Sequence, residues 1–303
     1  MGRDIESKCH FGLMERIVLQ VGGRCVAVEG DCAWRFLRTY DGAQPFVVAE
    51  AEADWYVRYG SDVAVPTQGD VLNSFVFREI DARCCFRRSG DMFYYDMRRS
   101  DGGMLVAMSH RFGSNRVDAT LCDDASALRF SLWFALSMLG APSSFTFVHS
   151  SVIVCRGRAV LFLGESGTGK STHTRLWLKN IPDAHLLNDD SPILTVEDGR
   201  PCVYGSPWSG KTPCYEARRF PLAAVVRLSQ ASQNAMRRLS IPAAFAALQP
   251  SLPPALMQDE RYADLLIGII SDTISAVPSY HLACLPDDEA ARLSCKTIFD
   301  NAL

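Results

Sequence analysis

Alternating apolar and polar residues characterise the first part of the chain and predict β-strands there. The segments RIVLQV and RCVAVEG flank Gly22 and Gly23, while ARCCFRR and DMFYYDMRR flank Ser89 and Gly90. Glycine between alternating segments is typical of a tight β-hairpin. GMLVAMSHRF and RVDATLC predict further strands, so residues 1–125 are interpreted as a small, strand-rich α+β domain. No motif in this region carries chemistry by itself, and its role stays open.

An uncharged segment at residues 130–148, FSLWFALSMLGAPSSFTFV, is nearly long enough to cross a lipid bilayer. Gly140 and Pro142 interrupt it and two serines follow, which disfavours one continuous helix. The pattern therefore predicts a buried helix over residues 126–140 that leads into a strand, rather than a membrane span.

The remainder of the chain alternates between strand and helix patterns. FTFVHSSVIVC and AVLFLG predict apolar strands, STHTRLWLKN a helix and HLLNDD a short strand. ILTVEDGRPCVYG predicts a hairpin that turns at Asp198 and Gly199, and AAVVRLS predicts another strand. ERYADLLIGIISDTISAV has apolar residues at helical spacing, and PDDEAARLSCKTIF begins with the acidic residues that a helix start favours. Residues 126–303 are thus predicted to form an α/β domain whose mixed sheet contains hairpins.

Composition narrows the function classes. The chain has 303 residues, a net charge of −3, 48% hydrophobic and 21% charged residues, which is typical of a globular protein without a nucleic-acid partner. Its 11 cysteines form no CxxC pair, which argues against a disulfide framework and a zinc ribbon. The charged N-terminal segment lacks the apolar core of a signal peptide. We therefore predict a cytoplasmic location and no membrane partner.

The segment GESGTGKST carries the strongest chemical signal, because it matches the phosphate-loop pattern GxxxxGK[ST] between a strand and a helix. Its glycines let backbone N–H groups curl around an anion, and the helix N-terminus adds a positive field. Lys170 is predicted to reach the outer phosphates and Ser171 to bind Mg²⁺. The alternative is a glycine turn with a chance lysine. The predicted nucleotide-binding residues are Gly164, Glu165, Ser166, Gly167, Thr168, Gly169, Lys170, Ser171 and Thr172.

An acidic pair follows one helix later, where HLLNDD ends in Asp189 and Asp190. Such sheets gather their functional residues at the carboxyl ends of strands. Beside a metal, one carboxylate can hold Mg²⁺ while the other takes a proton. The alternative is a turn, since Asp-Asp-Ser-Pro is good turn chemistry. His149 precedes the strands that lead into the loop, and it is either structural or close to the phosphates.

These segments, His149-Ser-Ser-Val-Ile-Val, AVLFLGESGTGKST and LLNDD, resemble the HPr kinase and phosphoenolpyruvate carboxykinase superfamily. HPr kinases carry a histidine, a GxSGxGKS loop and an Asp-Asp pair in the same order, and ATP-dependent carboxykinases are similar. VYGSPWSGK and PSYHLACLPDDEAARL resemble short HPr-kinase-like proteins of bacteria, some of which accompany peptide-modification systems. The resemblance spans residues 145–303 and implies a carboxykinase-like P-loop domain.

The resemblance also implies roles for individual residues. It makes Asp190 the proton acceptor, Asp189 a metal ligand and His149 an active-site histidine. One departure is that HPr kinases have a Glu-x-Arg-Gly stretch after the acidic pair, whereas residues 202–205 here are CVYG. Lys211 is a candidate to supply the missing positive charge to a phosphate or the substrate.

The expected activity is an ATP- and Mg²⁺-dependent kinase that phosphorylates a serine or threonine hydroxyl of a protein or peptide. The alternatives are a regulatory module that holds ATP without transferring phosphate, and a small-molecule kinase, for example for free serine. Because HPr kinases assemble into oligomers, the resemblance also raises the expectation of a homo-oligomer. GTPases, transport ATPases and true carboxykinases fit less well, since their further motifs are missing from this sequence.

Overall fold

The computed structural model describes residues 15–49, 51–165, 167–210 and 212–300. The α-helices in these ranges are α1 (Asp31–Thr39), α2 (Ala125–Gly140), α3 (Lys170–Asn180), α4 (Ile241–Leu248), α5 (Glu260–Ala276) and α6 (Asp288–Phe299). The first group of strands is β1 (Arg16–Val21), β2 (Arg24–Glu29), β3 (Val47–Val48), β4 (Trp55–Tyr59), β5 (Asp70–Phe77), β6 (Ala82–Ser89), β7 (Met92–Arg99), β8 (Met104–Arg111) and β9 (Arg116–Ala119). The second group is β10 (Phe145–Phe147), β11 (Ser150–Cys155), β12 (Arg158–Leu163), β13 (His185–Asp190), β14 (Ile193–Glu197), β15 (Arg200–Tyr204), β16 (Arg219–Gln230), β17 (Ala235–Arg238) and β18 (Ser279–Cys284).

The first group of strands forms one mixed sheet in the order β3-β1-β2-β4-β9-β8-β7-β6-β5. Its pairs are antiparallel except where β4 lies parallel to β2 and β9. The hairpins predicted at Gly22–Gly23 and at Ser89–Gly90 join β1 to β2 and β6 to β7. The strand-rich character of this region is therefore confirmed, whereas α1, β4 and β5 were not predicted.

The second sheet is also mixed, with the order β10-β14-β15-β16-β12-β11-β13 and with β18 and β17 continuing beside β16. FTFVHSSVIVC was predicted as one strand, and this is wrong, because β10 pairs with β14 while β11 pairs with β12 and β13. The break falls at Val148 and His149, whose backbone N–H groups donate to the carbonyls of Pro192 (3.0 Å) and Ser251 (2.7 Å). His149 is thereby placed in a bend at the end of the sheet.

The uncharged segment forms the buried helix α2, a short 3₁₀ turn and β10, as its pattern predicts. Asp124 caps the helix by accepting a hydrogen bond from the N–H of Ala127 (3.0 Å). On α2, Phe134 stacks on Tyr95 with ring centroids 4.6 Å apart, and one buried cluster runs from the first sheet through α2 to the second. In the described ranges no helix is long and apolar enough to cross a membrane. The domain boundary at residue 125 stays a prediction.

Substitution Phe134→Ala should lower the free energy of unfolding by about 3–5 kcal/mol, because it removes a buried ring from the core between α2 and the first sheet. Leu121→Ala is the matched control, since Leu121 is 60% exposed and its loss should change stability by less than about 0.5 kcal/mol. Denaturant unfolding of both variants measures the difference. Equal effects would contradict the assignment of α2 to the core.

Candidate active site

Three chain segments meet at one edge of the second sheet. β11 is antiparallel to both of its neighbours, so Ser151 near its start lies opposite Phe162 near the end of β12 and opposite Asp189 near the end of β13. His149, the loop after β12 and the acidic pair therefore come together. β11 and β12 are neighbouring strands, which is the arrangement that would place His149 near the phosphate loop.

The loop between β12 and α3 has the backbone geometry of an anion cradle. Gly167 and Gly169 have φ angles of 86° and 101°, which L-residues rarely adopt. A Cβ on Gly164 would overlap the hydroxyl group of Thr168. Directly after Gly169, the eleven-residue helix α3 begins at Lys170, with its first N–H groups free of intrahelical partners. These features fit a bound phosphate group.

Lys170, His149 and Asp190 form a continuous chain of polar contacts. The Lys170 ammonium donates to the carbonyl of Gly164 (2.7 Å) and contacts Nε2 of His149 at 3.1 Å. Since an ammonium only donates, Nε2 accepts and the proton lies on Nδ1, which is 3.3 Å from Oδ1 of Asp190. Burial lowers the pKa of Lys170, against the opposing charges of Asp190 and Asp189. His149 thus links the predicted phosphate-binding lysine to the predicted base.

Asp189 and Ser171 lie side by side, as a shared metal ion would require. Asp189 is buried, and its carboxylate accepts hydrogen bonds from Ser151 and, at 3.3 Å, from the Ser171 hydroxyl. Carboxylate and hydroxyl oxygens are ligands that suit Mg²⁺. No three His, Cys, Asp or Glu side chains gather into a metal site by themselves in the described ranges. The residues therefore fit a Mg²⁺ ion that takes its other ligands from substrate phosphates and water.

Asp190 ends β13 in a backbone conformation that favours glycine, with φ at 139°. Such a conformation costs about 1–3 kcal/mol and persists only when its surroundings hold it. Here Ser209 forms a β-bridge with Asp190, and Gly210 donates its N–H to the carbonyl of Asp189. A Cβ on Gly210 would lie 2.9 Å from that carbonyl oxygen and 3.2 Å from Cβ of Asp190. The loop after β15 therefore presses directly on the acidic pair.

The environment of Asp190 favours its ionised form. Burial opposes ionisation, but hydrogen bonds from His149 and Ser191 and the positive charge of Arg129 outweigh it and hold the pKa of Asp190 below its ordinary value. The Ser191 hydroxyl donates to Oδ2 at 3.0 Å, so each carboxylate oxygen has one partner.

Two arginines that sequence reasoning missed stand near these groups. Arg227 on β16 lies opposite Leu163 of β12, and its charge helps to lower the pKa of Lys170, after burial as the main cause. Arg129 on α2 donates through Nη2 to the carbonyl of Ser209 at 3.1 Å. Each arginine is the lone charge in an otherwise apolar segment, ASALRFSLWFALSMLG or LAAVVRLS, and that anomaly is the signal that could have found them.

Of the four remaining predicted site residues, the structure describes Glu165 and Thr172 only. Ser166 and Lys211 lie outside the described residues, and their roles stay predictions. Glu165 is largely exposed, and its Oε1 is 3.5 Å from Nη2 of Arg227. Thr172 lies in the first turn of α3 and lines the cavity beside the loop.

Two cavities open at the site. One, of about 360 Å³, is lined by the glycine loop together with Leu176, Leu228 and Pro286. The neighbouring His173 is buried, which lowers its pKa to about 4 and keeps it neutral. Trp177 Nε1 donates to the Ser294 hydroxyl (2.9 Å) and to Nε2 of His173 (3.1 Å), and Nδ1 of His173 has no hydrogen-bond partner within the described residues. This cavity adjoins the phosphate cradle and has both polar and apolar residues in its lining. The other cavity, of about 460 Å³, is lined by His149 and Asp190.

Comparison with known proteins gives a weak structural likeness. No protein-family model matches the chain, and no curated protein matches it. The solved structure of the Hpr(Ser) kinase/phosphatase from Coxiella burnetii aligns over 51% of this chain and 94% of its own, with 11% sequence identity and a TM-score of 0.28. A likeness of this size assigns no family.

Substitution Gly210→Ala should destabilise the protein by about 1–3 kcal/mol, because the added methyl group meets the backbone of Asp189 and the side chain of Asp190 in a packed region. Gly268→Ala on the exposed face of α5 is the matched control. Its methyl group meets nothing within 4 Å, and it should stabilise by about 0.5–1 kcal/mol through helix propensity. Denaturant unfolding measures the free energy of unfolding of both variants. If the two substitutions changed it in the same direction, the close contact between Gly210 and the acidic pair would be contradicted.

Substitution His149→Ala should raise the pKa of Asp190, because it removes one of the hydrogen bonds that hold it low. A depressed carboxyl pKa stabilises the fold above the unfolded value of 3.8, and this stabilisation is lost as the pH falls through the folded pKa. The variant should therefore lose less stability than wild type on acidification below that value.

Carboxyl-detected NMR titration without added metal measures the pKa of Asp190 directly. His281→Ala is the control, because His281 bonds Ser229 rather than Asp190. An unchanged Asp190 pKa in His149→Ala would show that the contact with His149 does not lower the pKa of Asp190.

Proposed function

We propose that this protein is an ATP- and Mg²⁺-dependent kinase that transfers the γ-phosphoryl group to a hydroxyl. The single observation that carries the proposal is the contact chain from Lys170 through His149 to Asp190, beside the Ser171–Asp189 pair. A glycine turn with a chance lysine has no reason to gather these groups. The same residues carry the resemblance to HPr kinases.

In this proposal residues 164–172 hold the phosphates of ATP, and the cavity beside them holds the nucleoside. Lys170 leaves its contacts with Gly164 and His149 for the outer phosphates, which offer a stronger charge-assisted partner. Ser171 and Asp189 hold Mg²⁺, which neutralises phosphate charge when bound. Arg227 adds a second positive charge beside the loop.

The transfer itself assigns a proton to Asp190. The acceptor oxygen forms a bond to the γ-phosphorus while the bond from that phosphorus to the leaving oxygen of ADP breaks. The acceptor's proton moves to the Asp190 carboxylate, which its lowered pKa keeps ionised at neutral pH. His149 orients this carboxylate through Nδ1, and the strained backbone fixes its direction.

The acceptor is proposed to be a serine or threonine hydroxyl, in a protein or peptide by resemblance or in a free small molecule. We retain the cytoplasm as the proposed location and a homo-oligomer as an expectation. The second candidate function is a regulatory module that holds ATP without transfer. Arg129 and Arg227 favour the kinase, because they bring positive charge to the site where the Glu-x-Arg stretch is missing.

The test incubates the full chain with Mg²⁺ and γ-labelled ATP, with and without a lysate of its own organism. Substitution Asp190→Asn should lower transfer by about 10²–10⁴-fold, because it removes the base and keeps the shape of the side chain. Calorimetry with Mg²⁺ and ADP should show that this variant binds nucleotide as wild type does, whereas Lys170→Met binds more weakly.

Asp62→Asn is the matched control, since Asp62 is exposed and lies outside the site. Tight ADP binding with no label on any protein, peptide or small molecule would favour the regulatory module. Absence of ADP binding would contradict both the kinase and the regulatory module.

A further inference from the structure

The cavity that contains Asp190 is built jointly by both regions of the chain. Its walls come from the end of β5 and the turn after it, from α2, from β10 and the bend at His149, from the end of β13, and from the proline-rich segment at residues 250–254. Most of the lining is apolar or aromatic: Phe77, Phe130, Trp133, Phe147, Trp208, Leu252 and three prolines. At about 460 Å³, it has the size of a site for a small ligand or a chain end rather than for a folded protein surface.

Among the described residues, Arg129 is the one arginine or lysine that lines this cavity. Its Nε donates to Tyr40 Oη (3.2 Å) and its Nη2 to the carbonyl of Ser209 (3.1 Å), and it forms no ion pair with any described residue. These two contacts fix the guanidinium, while Nη1 makes no hydrogen bond to the described part of the chain. A fixed, partly buried guanidinium that forms no ion pair with a described residue is a recognition group for a carboxylate or a phosphate.

The position of Arg129 relative to Asp190 limits what the anion can be. Ser209, whose carbonyl accepts from Arg129, is the β-bridge partner of Asp190. Arg129 and Asp190 also both line this cavity, so the guanidinium and the predicted base face the same enclosed space. An acceptor held by both groups must carry its hydroxyl only a few bonds from its anionic group. Serine and threonine with a free α-carboxylate have this arrangement.

A second charge lies at the mouth of the same cavity. Glu79, in the turn between β5 and β6, is exposed and accepts a hydrogen bond from the Ser126 hydroxyl at 2.7 Å. Ser126 and Arg129 are three residues apart on α2 and therefore share one face of the helix. Glu79 and Arg129 form no ion pair with each other, so both charges remain available to an acceptor that carries an ammonium as well as a carboxylate.

We infer that this cavity is the acceptor site and that it selects a serine- or threonine-type hydroxyl adjacent to a free carboxylate, which Arg129 binds while Asp190 faces the hydroxyl. The inference rests on the proposed function and deepens it. It also assigns a task to the first 125 residues, since Tyr40, Phe77 and Glu79 position Arg129 or line the cavity. Two sources offer the required chemistry, namely the free amino acid and the C-terminal residue of a peptide.

The test compares acceptors that differ only in this carboxylate. The full chain, with Mg²⁺ and labelled ATP, receives L-serine or its amide, and peptides ending in serine as the free acid or as the amide. The free acids should exceed the amides in kcat/KM by about 10-fold or more, because a charge-assisted hydrogen bond is lost in the amide. A peptide with only an internal serine should react like the amides.

Variants of Arg129 show whether this residue causes the preference for free acids over amides. Arg129→Gln should raise KM for the free acids by about 10-fold or more beyond any change it causes for the amides, and keep ADP binding at the wild-type level. Arg129→Lys should restore part of the lost affinity for the free acids, because it keeps the positive charge but not the planar guanidinium that binds a carboxylate through two hydrogen bonds. Arg111→Gln is the matched control, since Arg111 is exposed and does not line the cavity.

The two sources separate through Glu79 and through N-acetylserine. If the free amino acid is the acceptor, Glu79→Gln and N-acetylation should each lower kcat/KM for serine. If a C-terminal residue is the acceptor, Glu79→Gln should leave kcat/KM for the peptide acid unchanged, and N-acetylation should leave kcat/KM for serine unchanged. The carboxylate site is supported in either case.

Equal rates for acids and amides, or a preference for the internal serine, would overturn the inference. So would an equal loss on acids and amides in Arg129→Gln, which would place Arg129 on the transferred phosphoryl group instead. Labelling of a lysate acceptor without labelling of any acid in the panel would overturn the inference alone, whereas absence of transfer to every acceptor would overturn the proposed function with it.

Discussion

The antiparallel pairing of β11 with both β12 and β13 is the constraint on which the candidate site depends. It brings the start of one strand beside the ends of two others, so that Ser151 contacts Asp189 while the loop after Leu163 begins at the same edge. If β11 shifted by one residue, Ser151 would face the opposite side of the sheet and the Asp189 carboxylate would lose a buried donor. Loop, histidine and acidic pair are therefore held by a single strand register.

Strain is concentrated where this register ends. Asp190 adopts a backbone conformation suited to glycine, while Gly210 allows the loop after β15 to press against it. The sheet, the bridge to Ser209 and the hydrogen bond from Gly210 together offset that local cost. A carboxylate held in this way needs little rearrangement when it accepts a proton, and this is how a preorganised base contributes to catalysis.

The strand-rich region takes part in the site through α2. Phe134 packs α2 against the first sheet, and one turn and a half earlier on the same helix Arg129 reaches Ser209 beside Asp190. Tyr40 holds the guanidinium from the region before α2. The shared core thus fixes a charge that the second sheet does not supply, and the cavity beside Asp190 exists only where the two regions meet.

Local patterns in the sequence determined much of the secondary structure and the chemical motifs. The glycine hairpins, the capped helix α2, the loop before Lys170 and the acidic end of β13 all follow from residues close together in the chain, whose conformational preferences act locally. The break at His149, the strained backbone of Asp190, the buried Ser151 donor and the approach of Arg129 and Arg227 were decided only by the tertiary structure. Each of these depends on contacts between residues far apart in sequence, and such contacts leave no periodicity for a local pattern to reveal.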